Sequence, residues 1–180
     1  MKPALLILLA AMPLALIAAP ARAGEVFGGA YVHAVDTPLS LDSGESGADI
    51  QLGFRAEPIG ALAAIGSPAP YAFVSVNTAG DTDFVAAGLA WKIALGPVYV
   101  RPGVGLSLNN GPDRRVDPAT GNRTELGSSV LFAPELGVGV ALGRGASLEA
   151  SWVHISGARL FNSEQNPGID MIGVRVNWRM

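Results

Sequence analysis

Three residues of this chain have the types and the spacing for nucleophilic chemistry: His154, Ser156 and Asp170. His154 and Ser156 stand two apart in the run Glu149-Ala-Ser-Trp-Val-His-Ile-Ser-Gly-Ala-Arg. On a β-strand, residues two apart project from the same face. A serine, a histidine and a carboxylate supply a nucleophile, its base and a group that orients the base. The plain alternative is an interfacial histidine and serine capped by a loop carboxylate. Two acids follow within reach. Glu164 lies in the polar stretch Phe-Asn-Ser-Glu-Gln-Asn, and Asp170 comes just after Asn166-Pro-Gly-Ile.

The elements that must position these residues alternate with a period of two, which is the mark of strands. Ala48, Ile50, Leu52, Phe54 and Ala56 share one face, with Asp49, Gln51, Gly53, Arg55 and Glu57 on the other. The same pattern recurs over Val85–Leu95, Val98–Leu108, Phe132–Leu142, Leu148–Trp152 and Ile172–Trp178. Two less regular segments, near Glu25–Val35 and Tyr71–Thr78, bring the count to eight. A tilted strand of about 9–11 residues crosses a bilayer. The reading is therefore all-β: an eight-stranded antiparallel transmembrane β-barrel with its apolar faces outward. A barrel of eight strands has an interior just wide enough for packed side chains. Arg55, Arg101 and Arg175 with Glu135 and Glu149 should fill it with polar groups rather than leave a channel. A soluble barrel with inward apolar faces is the rival architecture.

On this pattern His154 and Ser156 share the lipid-side face of Leu148, Ala150 and Trp152. Asp170 shares that of Ile172, Val174, Val176 and Trp178. The three should meet on the outer wall, where the seventh strand ends and the eighth begins. Ionisable groups on a lipid-facing wall are costly without partners and suggest function. Connections expected outside are Asp36–Gly47, Asn77–Thr82, Asn109–Glu125 and Gly157–Gly168. Those inside are Pro58–Pro70, Gly96-Pro97 and Gly143–Gly145. Long outer loops with short inner turns are the outer-membrane pattern. The first inner connection is longer than that pattern asks. His33 has no evident partner.

Composition narrows the class. Charged residues are 15% of the 180, against about 25% in soluble domains. Mean hydropathy is +0.36. No apolar run of the roughly 20 residues that span a bilayer as a helix follows the N-terminus, which excludes a helical membrane bundle. With no Cys there is no disulfide framework and no thiol nucleophile, and two His cannot build a His-rich metal cluster. Neither a metal nor an organic cofactor is expected. Residues 1–23 carry a charged start, an apolar stretch and a small-x-small end at Ala21-Arg22-Ala23. That is the form of a secretory signal peptide, with 24–180 as the barrel domain. Its removal takes Lys2 and Arg22 away and moves the formal charge from −3 to −5, which argues against nucleic acid as a partner.

The run His154-Ile155-Ser156-Gly157-Ala158, then Asn166-Pro167-Gly168-Ile169-Asp170 and a closing strand, resembles the PagL-type lipid A 3-O-deacylases, or acyloxyacyl hydrolases. The resemblance is specific over about Glu149–Trp178. It implies an esterase of the bacterial outer membrane that removes the ester-linked 3-hydroxyacyl chain at position 3 of lipid A, the anchor of lipopolysaccharide, in the outer leaflet. Position by position it implies Ser156 as nucleophile, His154 as general base and Asp170 as the acid, where the family often has Glu. The family's Asn after the nucleophile is Gly157 here. The Gly157 and Ala158 amides, or the Asn166 side chain, would then serve the oxyanion. The family's usual aromatic C-terminal residue is Met180. Arg159 is either a partner for a lipid A phosphate or a solvated loop residue. The reading leaves room for a homodimer. A non-enzymatic small barrel with a structural or adhesion role explains the alternation, leader and loops equally well, but not three polar groups converging on the lipid face.

Overall fold

The computed structural model describes residues 24–40, 43–111, 115–116, 123–124, 126, 128–158 and 168–180. The leader read in the sequence at 1–23, together with Arg159, Glu164 and Asn166, lies outside the described residues. Eight strands form the barrel. They are β1 (Glu25–Val32), β2 (Ala48–Arg55), β3 (Ala69–Asn77) and β4 (Phe84–Ala90, resumed at Ile93–Leu95). Then follow β5 (Val98–Asn109), β6 (Val130–Phe132 and Glu135–Gly143), β7 (Ala146–Ser156) and β8 (Gly168–Arg179). Each pairs antiparallel with its chain neighbour, and β8 pairs with β1, so the sheet closes. A two-stranded hairpin, Arg115–Val116 with Arg123–Thr124, stands in the third outer connection.

The expected alternation is met. Leu52, Val104, Leu106, Val138, Leu148, Val174 and Val176 are exposed on the outside. Phe27, Tyr71, Phe73, Phe84, Arg101, Glu149 and Arg175 are buried within. Apolar side chains face outward, as a lipid solvent requires, while the interior holds an apolar cluster around Phe27, Phe73, Phe84, Leu131 and Met171 as well as polar and charged groups.

The interior is an ionic plug. Arg175 Nε donates to Glu149 at 2.6 Å and its Nη1 to Glu135 at 3.0 Å. Arg101 pairs with both Glu149 and Glu25, and Glu25 also takes Arg55. The Arg55 guanidinium stacks 4.3 Å from the Phe27 ring centroid. Glycines give these long side chains room: a Cβ on Gly137 would stand 2.4 Å from Glu149 Oε1. Breaking one such buried pair leaves an uncompensated charge, at a cost of about 3–5 kcal/mol.

Three features differ from the sequence reading. β4 is interrupted at Trp91-Lys92 and β6 at Ala133-Pro134, where Pro134 has no N–H for the ladder. The long inner connection holds a 3-10 helix, Gly60–Ile65, and the Trp91 indole N–H donates to the Ile65 carbonyl at 2.6 Å. His33 is not unpartnered. Its Nδ1 lies 2.9 Å from Asp49 Oδ2 and its Nε2 2.7 Å from Glu45 Oε2. Carboxylates only accept, so both ring nitrogens carry protons and the side chain is an imidazolium. Burial alone would lower its pKa, but the hydrogen bonds it donates to Asp49 and Glu45, with their negative charges, outweigh that and push it up to about 9. Thr82 also donates to Glu45, at 2.7 Å, so this cluster ties the first outer loop to the second.

Candidate active site

The outer ends of β7 and β8 bring His154 and Asp170 directly opposite each other in the ladder, and Ser156 opposite Gly168. Directly opposed residues put their Cβ atoms about 4.5–5.5 Å apart, close enough for a short carboxylate to meet an imidazole. His154 Nδ1 is 2.9 Å from Asp170 Oδ1. The carboxylate can only accept, so Nδ1 bears the proton, and in the neutral ring it is Nε2 that carries the lone pair.

Gly168 explains where that nitrogen goes. A Cβ built on Gly168 would lie 2.3 Å from His154 Cε1 and 3.0 Å from Nε2. The imidazole therefore lies across the glycine, leaning from its own row toward the row of Ser156. Any side chain at 168 would lift it away. Among the described residues no hydrogen bond joins Ser156 Oγ to His154. Catalytic contacts of this kind are commonly long until substrate is bound. We predict that Gly168→Ala lowers kcat by about 10², the usual consequence of a misplacement near 1 Å. A rate within threefold of the parent, with the barrel intact, would show that the ring does not need this space.

The site sits on the predicted face but is not open to lipid as the sequence suggested. Exposure falls to 7% at His154, 5% at Ser156 and 0% at Asp170. A carboxylate left bare against hydrocarbon would be too costly to keep ionised, so it must be covered and hydrogen-bonded. Two donors that sequence reasoning missed do this. The Trp152 indole N–H donates to Asp170 Oδ1 at 2.6 Å, and its ring stacks on His154 with centroids 5.8 Å apart. Thr37, in the first outer loop, donates its hydroxyl to Asp170 Oδ2. The alternating pattern held a signal for Trp152, which is two residues before His154 on the same face. No local pattern pointed to Thr37.

Just past Ser156 the chain bends sharply. Gly157 is buried, and Ala158 takes a left-handed conformation with φ of 48°. Such strain in a residue with a side chain gathers at functional sites. Ser156 also pairs with Phe132, and Phe132 with Leu106, both of which are exposed on the outer wall. A cavity of about 360 Å³ lies at the other, inner mouth, lined by Arg55, Lys92, Arg101 and Arg179 with Glu25 and Glu57. It is far from His154 along the barrel and does not belong to this site. Among the described residues no cluster of His, Asp and Glu could hold a metal ion.

The model of the lipid A 3-O-deacylase (PagL) family matches residues 69–179. The chain resembles the crystal structure of the outer membrane enzyme PagL with a TM-score of 0.59 and 18% identity, over 86% of this chain and 98% of that one. It resembles that of Neisserial surface protein A (NspA) with a TM-score of 0.49 and 17% identity, over 87% and 97%. No curated protein matches it by sequence.

Proposed function

Because the chain belongs to the lipid A 3-O-deacylase (PagL) family, we propose that this outer-membrane enzyme hydrolyses the ester at position 3 of lipid A with Ser156, His154 and Asp170. The observation that carries the reading is the His154–Asp170 pair, whose Nδ1 contact leaves Nε2 turned toward the row of Ser156. That is the tautomer a general base for serine needs.

His154 Nε2 takes the Ser156 hydroxyl proton as Oγ attacks the ester carbonyl. Asp170 holds the imidazole and offsets the imidazolium charge that forms. The glucosamine hydroxyl leaves with the proton from Nε2, and the 3-hydroxyacyl chain stays on Ser156. Water, deprotonated by the same nitrogen, then releases the fatty acid. The amides of Gly157 and Ala158, at the bend, are the proposed donors to the oxyanion, with Asn166 as a further one. Such donors act on charge as it develops in the transition state. Arg159 is a candidate for a lipid A phosphate.

The outer wall suits this substrate. Lipid A lies in the outer leaflet with its esters just beneath the headgroup, so the barrel meets the ester sideways without extracting the lipid. Phe132 and Leu106 offer apolar surface beside the nucleophile for the acyl chain. Residues 1–23 are proposed as a signal peptide cleaved after Ala23. Mass spectrometry of lipid A from cells with and without the protein tests the function. The expected result is loss of one 3-hydroxyacyl chain only when the protein is present. Unchanged lipid A, with the barrel in the outer membrane, would refute the reading.

A further inference from the structure

We infer that Thr37 is a positioning residue for this deacylation: from the first outer loop it fixes the Asp170 carboxylate so that the opposite oxygen meets His154. The inference rests on the reading of Asp170 as the acid. Two donors converge on Asp170 Oδ1, and both come from β7: Trp152 Nε1 and His154 Nδ1. Oδ2 receives one, from Thr37, which is 133 residues away in the chain. The terminal torsion of an aspartate is broad, without sharp rotamer wells. Bonds to Oδ1 alone leave the carboxylate free to turn about that oxygen. A donor on Oδ2 stops the turn.

Thr37 is itself aimed. The Leu39 amide donates to Thr37 Oγ1 at 3.0 Å and occupies a lone pair, which leaves the hydroxyl proton for Asp170. The turn around it is closed by the Ser40 amide on the Thr37 carbonyl at 3.2 Å, and by the Thr37 amide on Ser40 Oγ at 3.2 Å. The whole turn is clipped to β8, because the Val35 amide donates to the backbone carbonyl of Asp170 itself at 2.8 Å. Backbone and side chain of one residue are thus gripped by the same loop. The backbone contact would suffice to anchor the loop. The hydroxyl contact adds only the orientation of the carboxylate.

The test is steady-state kinetics on lipid A in detergent micelles, with the intact barrel checked by its heat-modifiable migration. Thr37→Val keeps the shape and removes the hydroxyl. It strands Oδ2 without a partner, and kcat should fall about 10- to 100-fold with KM changed by less than about twofold. Thr37→Ser should hold kcat within about threefold of the parent, since the hydroxyl is what matters. Thr37→Val added to Asp170→Asn should slow that variant no further, because Thr37 acts through the carboxylate. Should the Val variant not fold, Thr37→Ala carries the same expectations. A parental kcat for Thr37→Val, a Ser variant as slow as the Val one, or additive effects in the double variant would each overturn the inference. A parental rate for Asp170→Asn alone would instead remove the acid reading beneath it.

Discussion

Ser156→Ala is expected to lower lipid A deacylation by on the order of 10⁶ in kcat, with the barrel still folded. The size follows from what is removed. Without Oγ no acyl-enzyme forms, and His154 loses the hydroxyl that it activates in the first step. The fold should survive because Ser156 lies at the outer end of β7, where its pairing with Gly168 and Phe132 is made by backbone. The side chain is only 5% exposed, so truncation removes one covered oxygen. No described group hydrogen-bonds to that oxygen and would be stranded. Release of 3-hydroxy fatty acid by purified protein measures the loss. A variant working within a hundredfold of the parent would mean that another group attacks.

Asp170→Asn should lower kcat by up to about 10⁴, the cost of misorienting the base in comparable triads. The hydrogen bonds give the reason. Oδ1 and Oδ2 of Asp170 accept from three donors: Trp152, His154 and Thr37. An amide offers one oxygen and one NH₂. With the NH₂ toward β7, His154 must accept at Nδ1, which places its proton on Nε2, and a protonated Nε2 cannot take the proton of Ser156. With the NH₂ toward Thr37, the tautomer survives but the negative charge that steadies the imidazolium is gone. Both arrangements disable the base. Glu164→Gln is the contrast, and should change the rate by less than about tenfold, as expected of a solvated surface charge. Paired rates on the two variants decide the acid, and the reverse ranking would assign the role to Glu164.

The barrel was legible because lipid makes the alternation strict. Outward positions such as Ile50, Leu52, Val104, Val138, Val174 and Trp178 are apolar, and a register slip of one residue would reverse every face. The same rule puts His154, Ser156 and Asp170 on one wall from sequence alone. What periodicity could not carry was contact between distant segments. Thr37 meets Asp170 across 133 residues, and its local sequence, Val-Asp-Thr-Pro-Leu-Ser, reads only as a turn. His33 looked solitary for the same reason: its partners, Glu45 and Asp49, come from the far side of the first outer loop and from β2. Burial of the site was also invisible, since the strand pattern says which face a residue takes but not what folds down over it. The break in β6 had a sign in Pro134, whereas the break at Trp91-Lys92 had none.

The first and last strands meet along one line, and the proposed acid is built across it. Asp170 belongs to β8, whereas Val35 and Thr37 follow directly on β1, its partner in the closed sheet. At the other end of the same line the Met180 amide donates to the Gly24 carbonyl at 2.9 Å. On this reading an exported chain crossing the periplasm, or one part-way through insertion, carries Ser156 and His154 but has no anchored carboxylate to set them to work. The hydrolase would be dormant in transit and become competent when its ends join, inside the membrane that holds its substrate. Completion of the cylinder would then be the step that arms the enzyme.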